Sequence, residues 1–205
     1  MNGAMPRIVS DRAEKTDQMV VLPSSLENPA KSPPGMYRLG VWLAISSIFA
    51  FFMALMIAYY WRAQSREYWE PIDLPPVLWW STGLILSSSV TLETARRLFR
   101  RGLWRVASQL LMATACIGAA FVACQINGWR DLIRQGAYLA ENPHASFFYI
   151  FTGLHAAHLV GGMVALCVLV FGRTIRRELV DAATTYWHFL GVLWIALFAT
   201  LKTIS

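Results

Sequence analysis

Two histidines one helical turn apart lie at the centre of a long apolar segment of this chain. Residues 147–171 carry no charged side chain, and their central part reads Thr152-Gly153-Leu154-His155-Ala156-Ala157-His158. An imidazole can ligate a haem iron or another metal ion, and it can also form hydrogen bonds between helices. Because a polar group inside a bilayer is costly unless it faces protein or water, this pair is the first candidate for a functional site.

The composition predicts an all-α integral membrane protein around these histidines. The chain has 205 residues, of which 56% are hydrophobic and 15% are charged. Residues 1–37 mix charges with prolines and are expected to form a flexible cytoplasmic arm, and residues 38–205 to form the membrane domain. Apolar runs of about 18 residues or more can span a bilayer. Such runs predict a bundle of five transmembrane helices, at about 39–61, 76–95, 104–129, 146–171 and 184–204.

The net charge of +6 follows the predicted membrane topology and does not indicate nucleic-acid binding. Basic residues are concentrated on one side of the predicted bundle, and the positive-inside rule makes that side cytoplasmic. The N-terminus is then expected in the cytoplasm and the C-terminus in the periplasm. The basic side comprises the arm with Arg38, the loop after the second span (Arg96, Arg97, Arg100, Arg101, Arg105) and the loop after the fourth span (Arg173, Arg176, Arg177).

The depths of the histidines argue against a haem. At 1.5 Å per residue, His158 lies about 20 Å from the inner end of the fourth span and His188 about 8 Å from the inner end of the fifth. A b-type haem needs two axial histidines at similar depth, and His155 and His158 emerge from one helix.

A metal site would need further ligands from a neighbouring helix, and the second span offers mainly hydroxyls, which are poor ligands for transition metals. We therefore expect no catalytic, cofactor or metal site. His155 and His158 are instead expected to bond to hydroxyls on facing helices, and small residues such as Gly161 to form a close helix contact.

Glu93, near the inner end of the second span, is a candidate for an interfacial ion pair. Arg96 and Arg97 follow it at the i+3 and i+4 positions, a favourable helical spacing. A contact with His188, predicted at similar depth, is a sharper hypothesis. No aspartate, lysine or arginine lies deep in a predicted span, which disfavours a stand-alone ion pump.

Two segments together resemble subunit III of the haem–copper terminal oxidases. Thr152-Gly153-Leu154-His155-Ala156-Ala157-His158 is similar to the family's Thr-Gly-x-His-x-x-His signature, and Tyr186-Trp187-His188-Phe189 to its Tyr-Trp-His-Phe segment. The resemblance covers about residues 36–205 and is closest to the short, five-helix bacterial form. Two departures remove acids that longer relatives carry, and the residues at those positions are Ile48 and Gly191.

The resemblance implies a subunit without a catalytic site of its own. Haem and copper would lie in partner subunits, and this chain would pack directly on subunit I, bind structural phospholipid and support aerobic electron transport coupled to proton pumping. The complex would be a cytochrome c or quinol oxidase of a bacterial inner membrane. Alternatives are a subunit III-like accessory protein of nitric oxide reductase, a b-type haem electron carrier using the three histidines, and a small-molecule transporter, which the lack of an internal repeat disfavours.

Overall fold

The computed structural model describes residues 36–64, 73–136, 143–172 and 177–204, and these segments contain helices and short turns without any strand. The predicted arm lies almost wholly outside the described residues. The helices are α1 (Met36–Gln64), α2 (Val77–Arg100), α3 (Trp104–Arg134), α4 (Pro143–Phe171) and α5 (Arg177–Ile204).

The predicted all-α fold is confirmed, and each helix extends beyond its predicted apolar run. The longest, α3, has 31 residues, which is about 46 Å at 1.5 Å per residue. A bilayer with its headgroups is about 40–45 Å thick. The apolar runs mark only the hydrocarbon core, so the charged turns at the helix ends were missed.

Four of the described helices, α1, α3, α4 and α5, are long and apolar enough to span a membrane. Helix α2, also predicted as a span, is less apolar because it carries serines, threonines and Glu93. Its hydroxyls are not left unpaired, since Ser81, Ser88 and Ser89 donate to backbone carbonyls three or four residues earlier in the helix. Such internal bonds satisfy hydroxyls where water is absent.

Helices α2 to α5 form a ring in which α2 contacts α3 and α5, and α4 contacts α3 and α5. The turn between α2 and α3 is tight. Gly102 adopts a left-handed conformation there (φ 82°), and the Leu103 N–H donates to the Leu98 carbonyl at 3.1 Å. A left-handed residue that caps a helix in this way is most readily a glycine.

Helix α1 is peripheral. Within the part of the chain that the structure describes, no Cα of α1 lies within 8 Å of a Cα on another helix. Long aromatic side chains bridge the gap to α4: the Phe52 ring lies 5.7 Å from that of His158, and the Tyr59 ring lies 5.3 Å from that of Phe147. Much of the remaining surface of α1 is exposed.

Candidate functional site

His155 is enclosed by aromatic side chains. It is fully buried on α4, with an exposed fraction of 0%. Its ring centroid lies 5.6 Å from that of Phe121 on α3 and 5.3 Å from that of Trp194 on α5. Neither imidazole nitrogen has a hydrogen-bond partner among the described residues. His155 therefore contacts its neighbours through its ring faces and edges.

His158, half-buried one turn further along α4, joins three helices. Its Nδ1–H donates to the Leu154 carbonyl of the same helix at 2.7 Å, and its ring contacts Phe52 of α1. The Tyr186 hydroxyl of α5 donates to the His158 carbonyl at 3.2 Å. The backbone and ring of His158 thus connect α4 to α5 and α1.

The expected hydrogen bonds from these histidines to hydroxyls on facing helices are not formed among the described residues. His155 has none among the described residues, and the Nδ1 bond of His158 stays within its own helix. The reason is geometric. Aromatic rings surround His155, and the serines of α2 already donate their protons to their own backbone. A hydroxyl in that state can only accept, so its partner on a facing helix must be a donor such as an indole N–H.

Indole N–H groups are those donors. Trp187 Nε1 donates to Ser88 Oγ at 2.9 Å and Trp194 Nε1 to Thr82 Oγ1 at 3.0 Å, which joins α5 to α2 twice. Trp129 Nε1 donates to Thr152 Oγ1 at 2.8 Å, which joins α3 to α4. These interhelical contacts of tryptophan were not predicted from the sequence. The sequence contained one signal for the two bonds between α5 and α2. Trp187 and Trp194 are seven residues apart on one helix, and Thr82 and Ser88 are six residues apart on the other.

Trp187, in the Tyr-Trp-His-Phe segment, fills a notch made by two glycines. A Cβ added to Gly118 of α3 would lie 2.9 Å from Trp187 Cη2, and one added to Gly162 of α4 would lie 3.3 Å from Trp187 Cε3. Gly161, singled out from the sequence, is exposed and has no atom within 4 Å of its added Cβ. A Cβ on Gly153 would reach only Trp129, at 3.9 Å.

A charged cluster joins α2 to α5. Glu93 accepts hydrogen bonds from Arg96 Nη1 at 3.0 Å and from Arg97 Nε at 2.9 Å, and His188 Nε2 lies 3.8 Å from its carboxylate. Glu93 forms the predicted ion pairs with both Arg96 and Arg97, and the hypothesised contact between Glu93 and His188 is observed. The imidazole of His188 forms an ion pair there only when it is protonated.

Asp181 is the member of this cluster that sequence reasoning missed. Its carboxylate accepts from Arg96 Nε and Arg100 Nη2, each at 2.9 Å. Arg96 therefore bridges Glu93 and Asp181. The omission arose because α5 was expected to begin at residue 184, whereas it begins at Arg177 and includes Asp181 in its second turn.

Within the described ranges, no group of three or more histidine, cysteine, aspartate or glutamate side chains is arranged to hold a metal ion. The residues that are brought together are indoles, hydroxyls, small residues and ion pairs at the seams between helices. These arrangements set helix orientation and spacing. They define the chain as a multi-pass helical membrane protein whose buried polar groups join its own helices.

Comparison with known proteins identifies the family. A family model described as cytochrome c oxidase subunit III matches residues 31–204. The probable cytochrome c oxidase subunit 3 of Nocardia farcinica (strain IFM 10152) is 31% identical over 182 residues, covering 82% of this chain and 88% of that protein. The cytochrome c oxidase subunit 3 of Corynebacterium diphtheriae is 29% identical, covering 86% and 92%. That of Strongylocentrotus purpuratus is 32% identical, covering 78% and 67%.

The chain belongs to the cytochrome c oxidase subunit III family. The resemblance carried by the two histidine segments is confirmed. Membership makes this chain a subunit III of a haem–copper oxidase, which implies association with other subunits of that oxidase.

Proposed function

We propose that this chain is a non-catalytic subunit III that packs directly on the catalytic subunit I of a bacterial inner-membrane oxidase. It binds structural phospholipid and supports the oxygen reduction and proton pumping of its partner, while haem and copper lie in the partner subunits. The observation that carries the proposal is that the two signature histidines make contacts within this chain. His155 lies between aromatic rings of α3 and α5, and His158 bonds to its own backbone.

The outer surface supports the assembly role. Only Ile45, Phe52 and Tyr59 of the described α1 are buried, so most of this helix is available to lipid or to another subunit. On α4, the small residues Ala157, Gly161 and Ala165 are all exposed. Small residues four apart allow a facing helix to approach closely, since no large side chain separates the two backbones.

The charge distribution supports the proposed orientation. Arginines are concentrated where α2 ends and α3 begins, and the N-terminal end of α1 carries Arg38. Under the positive-inside rule this side faces the cytoplasm. The C-terminal end of α5 then faces the periplasm.

Co-purification tests the assembly. An affinity tag on this chain, expressed in its native membrane, is expected to retain a haem–copper subunit I after solubilisation in mild detergent. Loss of that subunit at every detergent concentration that keeps the oxidase active would contradict direct packing.

A visible spectrum of the chain purified alone tests the cofactor assignment. No reduced haem b α-band is expected from it. Such a band, present in stoichiometric amount, would instead identify a haem-binding electron carrier.

A further inference from the structure

A layer of polar side chains lies inside the bundle, and α2, α3, α4 and α5 all contribute to it. Gln125 of α3 donates from Nε2 to Ser81 Oγ of α2 at 3.1 Å. Trp194 of α5 donates to Thr82 Oγ1, the next residue of α2, at 3.0 Å. His155 of α4 contacts the ring of Trp194. We name these five residues the buried polar layer, and all of them except Thr82 are 0% exposed.

Two members of the buried polar layer have hydrogen-bonding atoms that no described residue satisfies. They are Gln125 Oε1 and the two imidazole nitrogens of His155. The orientation of the Gln125 amide is fixed, because Ser81 Oγ donates to the Leu78 carbonyl at 2.8 Å and can only accept from the amide. A neutral imidazole has one N–H donor. One acceptor and one donor are therefore left over in the same layer.

The register of α3 and α4 brings this glutamine and this histidine to the same depth. The two helices are in contact at Gly118, whose added Cβ would lie 3.2 Å from Met163 Sδ. They are in contact again where Trp129 Nε1 donates to Thr152 Oγ1. These two contacts show that the helices are antiparallel. Counted from either contact, the glutamine and the histidine are offset by one residue, about 1.5 Å along the axis.

The two side chains also lie on facing sides of their helices. Phe121 is four residues before Gln125 and so lies on the same side of α3. Its ring centroid is 5.6 Å from that of His155. A buried polar atom without a partner loses its hydration and gains nothing in return. A single water molecule would satisfy both residues, because it can accept from an N–H and donate to an amide oxygen.

We propose that the buried polar layer binds one ordered water molecule, which accepts from an imidazole N–H of His155 and donates to Gln125 Oε1. Buried waters typically form about three hydrogen bonds to otherwise unsatisfied polar groups. A third bond is available in the same layer, since the hydroxyl oxygens of Ser81 and Thr82 each keep a second lone pair. The water site adds a link between α3 and α4 and does not depend on which subunits surround the chain.

Solid-state NMR of the full chain in phosphatidylcholine bilayers, with isotope-labelled histidine, tests the water site. It measures magnetisation transfer from water protons to the imidazole N–H of His155, whose signal is identified by its loss in His155→Phe. Clear transfer is expected in the wild-type chain. Gln125→Leu removes the other ligand at similar size, and the transfer is expected to fall several-fold. Undiminished transfer in Gln125→Leu would overturn the bridge.

Thr152→Val is the matched control. Thr152 is also fully buried and takes part in a hydrogen bond between α3 and α4, but it lies outside the buried polar layer. This variant is expected to keep the wild-type transfer to His155. An equal loss in Thr152→Val and Gln125→Leu would mean that any loosening of the α3–α4 contact removes the signal. Gln125 would then not be a ligand of the water.

The same spectra distinguish the water from a direct bond between the two side chains. A direct bond would shift the His155 N–H signal in Gln125→Leu without any transfer from water in the wild-type chain. No transfer and no shift would mean that both groups stay unpaired. Either result would overturn the proposal.

A second measurement needs no variant, so it does not depend on the folding of Gln125→Leu. A density map of the oxidase that contains this chain, at a resolution that shows ordered water, is expected to contain a separate peak between the two residues. The peak should lie about 2.7–3.2 Å from Gln125 Oε1 and from one ring nitrogen of His155. A map without that peak would refute the water site and leave the proposed assembly on subunit I unaffected.

Discussion

At the residue scale, tryptophan indoles donate three hydrogen bonds between the described helices, whereas the imidazoles of His155 and His158 form none with another described helix. Each serine or threonine that accepts an indole N–H also donates its own proton to a backbone carbonyl, as Ser88 does to Ile85 at 2.7 Å. The hydroxyl is thereby satisfied in both roles inside the bundle. An indole is only a donor, so the pair has a single orientation. Trp187 and Trp194 make this bond twice between α5 and α2.

The Trp187–Ser88 bond is expected to stabilise the folded chain by about 0.6 kcal/mol, and by no more than about 1.7 kcal/mol, the range found for polar bonds between membrane helices. A double-mutant cycle of Trp187→Phe and Ser88→Ala, followed by unfolding in mixed micelles, isolates this coupling from the lost ring volume. Trp80→Phe combined with Ser88→Ala is the control, since Trp80 is 76% exposed. Additive effects in the Trp187 cycle would show that the bond contributes nothing.

The roles of the histidines show where residue-level prediction stops. Type and spacing were enough to recognise the family, because the two motifs occur in order on α4 and α5. They were not enough to assign contacts, since an imidazole can be a ligand, a donor, an acceptor or an aromatic ring. The rotation of α4 decides among these by turning His155 toward Phe121 and Trp194. Helix rotation is a property of the packed bundle.

At the scale of the elements, glycine determines how closely α3 and α4 approach the large ring of Trp187. Gly118→Ala would bring a methyl group to 2.9 Å from a buried ring atom that cannot move aside. Overpacking of this kind is expected to destabilise the chain by about 1–3 kcal/mol. Gly161→Ala meets nothing within 4 Å, so it is expected to be neutral or stabilising, because alanine favours helix by up to about 1 kcal/mol over glycine. Thermal unfolding of both variants in detergent measures the difference, and equal midpoints would contradict the notch.

The attachment of α1 depends on a few aromatic side chains. Phe52→Ala removes the contact with His158 and leaves a cavity, at an expected cost of about 3–5 kcal/mol. Phe49→Ala is the control, because Phe49 lies on the exposed side of the same helix. Limited proteolysis of the chain in micelles is expected to cleave α1 faster in Phe52→Ala than in Phe49→Ala. Equal rates would mean that other contacts hold α1.

Element order and type were predictable from the sequence, whereas the ends and the partners of the helices were not. Apolar runs identify segments for the hydrocarbon core but do not include charged turns such as the one that contains Asp181. The ion pairs of Asp181 with Arg96 and Arg100 were therefore missed, although the i+3 and i+4 partners of Glu93 could be read directly from the spacing. The ring order of α2 to α5, with α1 outside it, depends on side-chain fit across seams. The predicted arm remains a prediction, outside the described residues except at its end.

At the scale of the whole molecule, the described helices have two kinds of surface. An inner surface lies between the helices of this chain, and an outer surface is exposed. The inner seams hold the glycines Gly118 and Gly162 and the indole bonds. The outer surface holds the exposed side of α1 and the small residues of α4. A chain that only had to fold would gain from larger apolar residues at Gly161, where space is open. Small residues on an exposed face are what a closely packed partner helix requires.

Gly161→Leu tests the contact of α4 with a partner helix separately from the packing within this chain. Its side chain points into open space, so the isolated chain is expected to be at least as stable as the wild type, because leucine favours helix over glycine. In the complex it would hold a partner helix away, and retention of subunit I during purification is expected to fall several-fold. Gly40→Leu, at another glycine with open space, is expected to leave retention unchanged. Full retention by Gly161→Leu would exclude this face of α4 from the contact, while the family membership and the internal packing would stand.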